Sequence, residues 1–276
     1  MASVHMTPIA AVSSSRSNSG GPSERELLRS HAAASDDGGL GSRIALLREL
    51  HRQHKDLQNA SIRLELQVKA IHRRLAGGDH DENATPLDSV AADFAAMRLS
   101  DSREMLLPHI RALKRQMEKL APELPGWEWC QSVRGLGPHS YAQIVAETGN
   151  ALNYPTVAKV WKRMGLAVIR GERQRRVLDK ELAIEMGYDA RRRAIMHVIG
   201  ENLLRCSDPY YRPLYDKRKA FELEKAPDAK PIVHHKRALR YIEKRLLREM
   251  WRAWRSATEL MSPRVSLPSA PNAVGQ

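Results

Sequence analysis

The sequence predicts a mainly α-helical protein, in which a helical hairpin or coiled coil is followed by a basic domain that contains a helix-hairpin-helix. Three observations predict this class. Apolar residues recur at steps of three and four in the first half of the chain, and the alternation typical of half-buried strands is scarce. Strong helix formers such as Ala, Leu, Arg, Glu and Met abound, whereas aromatic residues make up only 5% of the composition.

The first 40 residues are rich in Ser, Gly and Ala and show no apolar periodicity. Such a segment buries too little apolar surface to offset the entropy that it would lose on ordering. We therefore expect residues 1–40 to form a disordered tail, and residues 257–276 to form a second disordered tail at the other end.

From Ser42 the pattern changes to that of an amphipathic helix with the spacing of a coiled coil. The mostly apolar seam consists of Leu47, Leu50, His54, Leu57, Ser61, Leu64, Val68, Ile71 and Leu75. After a polar linker the same stepping returns at Leu106, Ile110, Leu113, Met117 and Leu120. Residues 42–122 are therefore predicted to form an antiparallel hairpin or one half of a dimeric bundle, and a homo-oligomer assembled through this seam is expected. Pro108 predicts a kink or a late start of the second helix.

Residues 126–256 are predicted to form a compact domain of short helices that are separated by glycine turns. The domain opens with a helix-hairpin-helix spacing in which apolar residues and glycines alternate: Val133, Gly135, Leu136, Gly137 and Ala142. Glycines in such a turn expose backbone N–H groups at the start of the next helix, where they can hold a phosphate oxygen. Arg134 and His139 flank the turn. An ordinary corner between two helices, whose glycines serve packing, accounts for the same residues equally well.

Positive charge is concentrated in this second domain. The chain carries 45 Lys and Arg against 32 Asp and Glu, which gives a net charge of +13 and an isoelectric point near 10.0. Residues 161–180 contain Lys162, Arg163, Arg170, Arg173, Arg175, Arg176 and Lys180. Residues 231–255 contain Lys236, Arg237, Arg240, Lys244, Arg245, Arg248, Arg252 and Arg255. Such clustering indicates a polyanion site, with nucleic acid as the default partner, although a solvated helix face is the plainer alternative.

Three consecutive arginines, Arg191, Arg192 and Arg193, begin the next predicted helix. Cations in a first helical turn interact unfavourably with the helix dipole, so we expect them to serve an external anion rather than helix stability. The predicted nucleic-acid-binding residues are Arg134, Gly135, Gly137, His139, Lys162, Arg163, Arg173, Arg175, Arg176, Arg191, Arg192 and Arg193.

The two cysteines, Cys130 and Cys206, have no paired spacing, so neither a disulfide framework nor a zinc site is predicted. No stretch approaches about 18 consecutive apolar residues, and the N-terminus lacks the basic and apolar regions of a signal peptide. We therefore expect a cytoplasmic protein without a membrane span, a metal or a cofactor.

Several of these segments together carry a family resemblance. The run VRGLGPHSYAQIVAETGNALNYPTVAKVWKRMGL is followed by a basic loop, then by RRRAIMHVIGENLLR and by a distant helix YIEKRLLREMW. This order resembles the C-terminal domain of insertion-sequence transposases of the 110/116/902 type, and the preceding helical pair resembles their connecting coiled coil. The resemblance covers residues 40–255. It implies DNA binding, a role in DNA transposition and recombination by a mobile element, and guide RNA as a further partner.

The resemblance also implies a catalytic apparatus whose residues are absent from the expected positions. In the family, an N-terminal RNase H-like domain supplies acidic metal ligands, and a serine after the segment matching Gly165 and Leu166 is the nucleophile of strand transfer. Here the first 40 residues show no βαβ pattern. No Ser or Thr occurs between Thr156 and Ser207, where Tyr188 is the only hydroxyl side chain.

The sequence therefore predicts a transposase-like protein that binds DNA, or structured RNA, without catalysis of its own. Two alternatives stay open. The first is an active recombinase that works with a partner catalytic domain. The second is a basic helical scaffold that binds an acidic protein.

Overall fold

The computed structural model describes residues 24–76 and 89–261, with the backbone alone for residues 24–38 and residue 261. It confirms the mainly α-helical class. The helices are α1 Glu24–Leu75, α2 Ser89–Leu120, α3 Trp127–Ser132, α4 Pro138–Thr148, α5 Val157–Arg163, α6 Lys180–Met186, α7 Ala190–Arg205, α8 Tyr211–Lys225 and α9 Pro231–Met261. Within the described ranges, the strands β1 Val168–Ile169 and β2 Glu172–Arg173 form one antiparallel ribbon. The described residues from Leu40 to Met261 form one compact unit.

Several element boundaries differ from the predicted ones. The first helix begins at Glu24 and not at Ser42, so the predicted tail is helical backbone from Glu24 onward. The reason is local, because the run ERELLRSHAAA within that segment consists largely of good helix formers. At the other end, α9 continues to Met261 and so overlaps the predicted tail of residues 257–276. Residues 1–23, the linker at 77–88 and residues 262–276 lie outside the described residues.

The seam predicted on α1 faces the interior. Leu47, Leu50, His54 and Ser61 are buried, and the other five members are half-buried. On α2 the apolar residues predicted at steps of three and four, Leu106 to Leu120, are likewise buried or half-buried. The predicted late start at Pro108 is wrong, since α2 begins at Ser89 and runs through this proline to Leu120.

The C-terminal helix α9 packs against α3, α5, α7 and α8. Its inward face buries Ala238, Leu239, Ile242, Leu246, Leu247, Met250 and Trp254. On α7, a Cβ atom added at Gly200 would lie 2.9 Å from Leu239 Cδ1 and 3.1 Å from Glu243 Cγ. The missing side chain therefore lets α7 and α9 approach closely. This approach brings Arg193 of α7 next to Glu243 of α9.

Candidate nucleic-acid interface

A groove of about 1200 Å³ lies between the β1–β2 ribbon, the first turns of α7, the end of α8 and the start of α9. We call it the basic groove. Eight of its lining residues are basic: Arg173, Arg175, Arg193, Arg218, Lys225, Lys236, Arg237 and Arg240. Among the described residues that line it, Glu222 is the single acidic one. Val168 and Val233 contribute apolar surface between the charges. The groove therefore combines strong positive charge with an apolar component.

The β1–β2 ribbon carries Arg173 and Arg175 to the edge of the basic groove. Its turn places both Arg170 and Gly171 at positive φ, 50° and 79°. Two central residues with positive φ define the type I′ turn, whose twist matches that of a two-stranded ribbon. The first part of the stretch predicted as a basic loop, as far as Arg173, thus belongs to an ordered hairpin, and the Arg-Gly pair forms its turn.

The acidic residue of the groove is already neutralised by two arginines. Glu222 is only 3% exposed and forms ion pairs with Arg218 on its own helix and with Arg237 on α9, the latter at 3.2 Å. Burial acts to raise the pKa of Glu222, but the hydrogen bonds from these arginines hold it below its usual range. The carboxylate therefore orients two guanidinium groups along the groove instead of repelling an anion from it.

Two further arginines crowd the inner end of the groove. Arg193 Nη1 lies 2.9 Å from Oε2 of Glu243, a fully buried carboxyl whose pKa is raised by burial. Arg240 Nη2 donates a hydrogen bond to the carbonyl of Ala167 at 3.0 Å. Burial and the neighbouring charge of Arg193 lower the pKa of Arg240. Because the guanidinium groups repel one another here, a bound anion would relieve the unfavourable electrostatics.

A second pocket of about 420 Å³ lies beside the turn between α6 and α7. We call it the small basic pocket. Four cations line it, Lys159, Lys162, Arg163 and Arg192, and none of the described residues around it is acidic. Arg163 donates from Nε to the Glu147 carbonyl at 2.8 Å, and Arg192 donates from Nε to the Glu147 carboxylate at 2.7 Å. One glutamate residue therefore positions both arginines.

The three arginines at the start of α7 each contact an acidic residue of the protein, and two of them also line the basic sites. Asp189 caps the helix by accepting hydrogen bonds from the backbone N–H groups of Arg191 and Arg192. Its carboxylate also pairs with the Arg191 side chain at 3.4 Å. The unfavourable placement of cations in this first turn is thus compensated by a carboxylate in the same turn. Arg192 and Arg193 nevertheless line the small basic pocket and the basic groove, respectively.

The glycine turn between α3 and α4 packs against the end of α7. Gly135 has a φ of +93°, and a Cβ atom there would lie 2.8 Å from the carbonyl oxygen of Asn202. The backbone N–H of Arg134 donates to Asp208 Oδ2 at 2.9 Å, so an internal carboxylate already occupies it. Gly137, by contrast, is exposed and caps the N-terminus of α4 with open space around its Cα. The structure therefore gives Gly135 a packing role, while the start of α4 at Gly137 stays open to solvent.

His139 lines neither of the two basic sites. Its ring packs edge to face against the ring of His54 on α1, with 5.2 Å between the ring centroids. Burial, followed by the charge of neighbouring His54, lowers the pKa of His139 to about 4. Burial likewise lowers the pKa of His54 to about 4. Both rings are thus neutral at pH 7, the His54 ring buried and the His139 ring half-buried.

The predicted binding residues fall into three groups. The basic groove contains Arg173, Arg175 and Arg193, and the small basic pocket contains Lys162, Arg163 and Arg192. The residues that line neither are Arg134, Gly135, Gly137, His139, Arg176 and Arg191. The predicted binding residues omit five cations of the basic groove: Arg218, Lys225, Lys236, Arg237 and Arg240. Three of them, Lys236, Arg237 and Arg240, belong to the basic run at residues 231–255 but are not among the predicted binding residues. Their helical spacing was the available signal, because steps of three and four residues place such side chains on one face.

Every helix within residues 24–76 and 89–261 is too short or too polar to cross a bilayer. In the same ranges, no three His, Cys, Asp or Glu side chains are grouped as ligands for a metal ion.

No protein-family model, curated protein or solved structure matches this chain. The resemblance to insertion-sequence transposases therefore stays a prediction from the sequence.

Proposed function

We propose that this protein binds nucleic acid by its phosphates in the basic groove, as a transposase-like DNA-binding protein. One observation carries the proposal. Eight cations line a groove of about 1200 Å³ whose single acidic lining residue, among those described, is neutralised by two of them. A phosphate backbone supplies closely spaced negative charges, and neutralising them releases condensed counterions into solution.

Electrostatics within the groove supports a polyanion in particular. The carboxylates of Glu222 and Glu243 hold Arg218, Arg237 and Arg193 in place. These arginines need not be ordered again when a phosphate binds, which lowers the entropic cost of binding. Arg173, Lys225 and Lys236 are exposed and supply long-range attraction. Duplex DNA is the proposed ligand, and structured RNA is the alternative because phosphate contacts do not distinguish the two.

The first two helices are proposed to form an antiparallel hairpin through which two copies assemble. Arg43 near the start of the compact unit pairs with Glu123 just after α2, whereas Glu65 farther along α1 pairs with Arg103 in the middle of α2. The order of the partners is thus reversed between the two segments, which supports an antiparallel arrangement. Large apolar side chains are exposed on this pair of helices, and they include Ile62, Leu66, Phe94, Met97 and Met105. A second copy would remove them from water.

Catalysis of strand transfer is not part of the proposal, and an active recombinase that requires a partner catalytic domain is kept as the alternative. The absence of Ser and Thr between Thr156 and Ser207 supports the non-catalytic function. A basic scaffold for an acidic protein is the other alternative, and it predicts weak, non-saturable binding to nucleic acid.

The test compares two triple variants that remove the same charge. Arg173→Ala/Lys225→Ala/Lys236→Ala changes exposed groove residues that form none of the ion pairs described above. Arg63→Ala/Arg111→Ala/Arg115→Ala changes exposed arginines on α1 and α2. Fluorescence anisotropy with a labelled duplex is measured between low and moderate salt concentrations.

The groove variant is expected to bind more weakly. The slope of its log affinity against log salt concentration should be shallower by about 0.9 for each lost phosphate contact. The control variant should retain the slope of the wild type. Equal losses in both variants, or binding that does not respond to salt, would contradict the proposed groove.

A further inference from the structure

We infer that the small basic pocket binds a terminal phosphate, the monoester at the end of a nucleic-acid strand whose preceding phosphates lie in the basic groove. The inference rests on the proposed function and adds a subsite that recognises strand ends. A monoester carries close to two negative charges at neutral pH, whereas an internal phosphodiester carries one. The distinction matters because the pocket offers several cations at one place.

The charge of the pocket favours such a dianion. Lys159, Lys162, Arg163 and Arg192 line it together, and no acidic side chain is among its described lining residues. Lys159 and Lys162 are exposed and supply mobile ammonium groups. Arg163 and Arg192 supply planar guanidinium groups, which suit phosphate oxygens because they donate two parallel hydrogen bonds.

Glu147 fixes the two arginines before any ligand arrives. Its backbone carbonyl accepts from Arg163 Nε and its carboxylate accepts from Arg192 Nε, so each guanidinium is anchored by Nε. The Nη2 atom of Arg192 also lies 3.8 Å from Oδ2 of Asp189, which leaves Nη1 of Arg192 and the terminal nitrogens of Arg163 to face a ligand. On the far side of Glu147, its Oε1 lies 3.2 Å from Nε2 of His51. The glutamate is held between α1 and α7 and is not itself among the residues that line the pocket. The arginines are therefore preorganised, which reduces the cost of binding.

The opposite wall of the pocket is also held in place. Residues 153–155 form it, and the Tyr154 hydroxyl donates to the carbonyl of Thr148 at 2.7 Å. The indole Nε1 of Trp251 donates to the Tyr154 carbonyl at 3.0 Å. Buried and half-buried contacts thus support both sides of the pocket, as expected of a preformed site rather than a random cluster of surface charges.

Sequence adjacency links this pocket to the basic groove. Arg192 lines the small basic pocket, whereas the next residue, Arg193, lines the basic groove. In the same way, Gly187 lines the pocket and Tyr188 lines the groove. The two sites therefore flank a single turn between α6 and α7. A strand that leaves the groove across this turn runs toward the pocket, and the four cations there favour a strand whose terminal phosphate lies in it.

The experiment uses one fluorescent duplex prepared with a 5′-phosphate, with a 3′-phosphate or with hydroxyl groups at both ends. The full-length protein is titrated with each form by anisotropy, and so are two variants. Lys159→Ala/Lys162→Ala removes the exposed lysines of the pocket, whose side chains are not part of the core. Lys225→Ala/Lys236→Ala removes the same charge from the basic groove.

The wild type should bind one of the phosphate-ended forms about tenfold more tightly than the hydroxyl form, the usual effect of hydrogen bonds to a charged group. The pocket variant should lose this preference, and the groove variant should bind all forms more weakly while keeping the preference. Saturable binding with equal affinity for all three forms would overturn the terminal-phosphate site and leave the proposed function intact. Failure of every form to bind saturably would overturn the proposed function itself.

Discussion

Gln174 bonds to Ala167 through both its backbone and its side chain. The backbone N–H of Gln174 donates to the Ala167 carbonyl at 3.1 Å, and the Oε1 atom of Gln174 accepts from the Ala167 N–H at 3.1 Å. The buried amide nitrogen Nε2 donates in turn to the carbonyls of Lys162 at 2.9 Å and Met186 at 2.6 Å. One side chain thus joins the ends of the ribbon to α5 and α6, and so positions both basic sites.

Replacement of Gln174 should therefore destabilise the fold and weaken binding. In Gln174→Leu, the N–H of Ala167 and the carbonyl groups of Lys162, Met186 and Gly187 lose a hydrogen-bond partner. We expect a loss of about 2–4 kcal/mol in the free energy of unfolding. Urea denaturation followed by circular dichroism measures the loss. Gln116→Leu on the exposed face of α2 is the matched control and should change stability by less than about 0.5 kcal/mol. Comparable stability of the two variants would argue against this role of Gln174.

The two glycines of the turn between α3 and α4 should respond differently to the same substitution. Gly135→Ala places a Cβ atom 2.8 Å from a backbone oxygen at a φ of +93°, so a loss of about 2–4 kcal/mol is expected. Gly137→Ala meets open space and should cost less than about 1 kcal/mol. Thermal melts of both variants provide the measurement. If both variants melt like the wild type, the close packing of Gly135 against α7 is incorrect.

This pair of glycines also shows what the sequence can and cannot predict. The alternating spacing correctly indicated two helices joined by a turn, because glycine and helix periodicity act locally. Which glycine contacts a distant helix depends on tertiary packing, since the partner of Gly135 is Asn202, far along the chain. Dependence on tertiary packing is also the reason that the sequence predicted only part of the basic groove. Arg173 and Lys236 belong to charge runs visible in the sequence, but only the fold brings the ribbon next to α9.

Acidification should destabilise the protein through His54 and His139. The pKa of each ring is lowered to about 4 in the folded state, from an ordinary value of 6.5. The folded state therefore binds fewer protons than the unfolded chain between these values. Stability is fully present above about pH 6.5 and falls as the pH decreases toward 4, by on the order of 2 kcal/mol or more for each ring.

Urea unfolding at pH 7.5, 5.5 and 4.5 measures this dependence. Because other groups also titrate in this range, the comparison is with His54→Leu/His139→Leu, which keeps apolar volume at both positions. The double variant should show a shallower decline in stability on acidification than the wild type. Parallel profiles for the two proteins would mean that these histidines do not contribute.

Assembly through the first two helices should depend on their exposed apolar residues. Phe94→Glu/Met97→Glu introduces charge on α2 at side chains that are 61% and 52% exposed, so the folded chain should tolerate both changes. Sedimentation velocity of the full-length protein is expected to show a dimer or larger species for the wild type and a monomer for this variant. A wild-type protein that stays monomeric at micromolar concentrations would contradict assembly through this surface.

Tyr188 lines the basic groove and is the only hydroxyl side chain between Thr156 and Ser207. A phenol attacks a phosphodiester only after a neighbouring group removes its proton. Glu222, the acidic residue among the described lining residues, is engaged by two arginines and is therefore a poor base for this purpose. We expect purified protein with magnesium or manganese to form no covalent adduct with DNA on denaturing gels, and Tyr188→Phe to bind DNA within about twofold of the wild type, since the hydroxyl contributes at most one neutral hydrogen bond. An adduct that forms with the wild type and disappears in Tyr188→Phe would show instead that the groove is the active site of a recombinase. Metal-dependent cleavage that leaves no adduct and persists in Tyr188→Phe would assign the chemistry to carboxylates outside the groove.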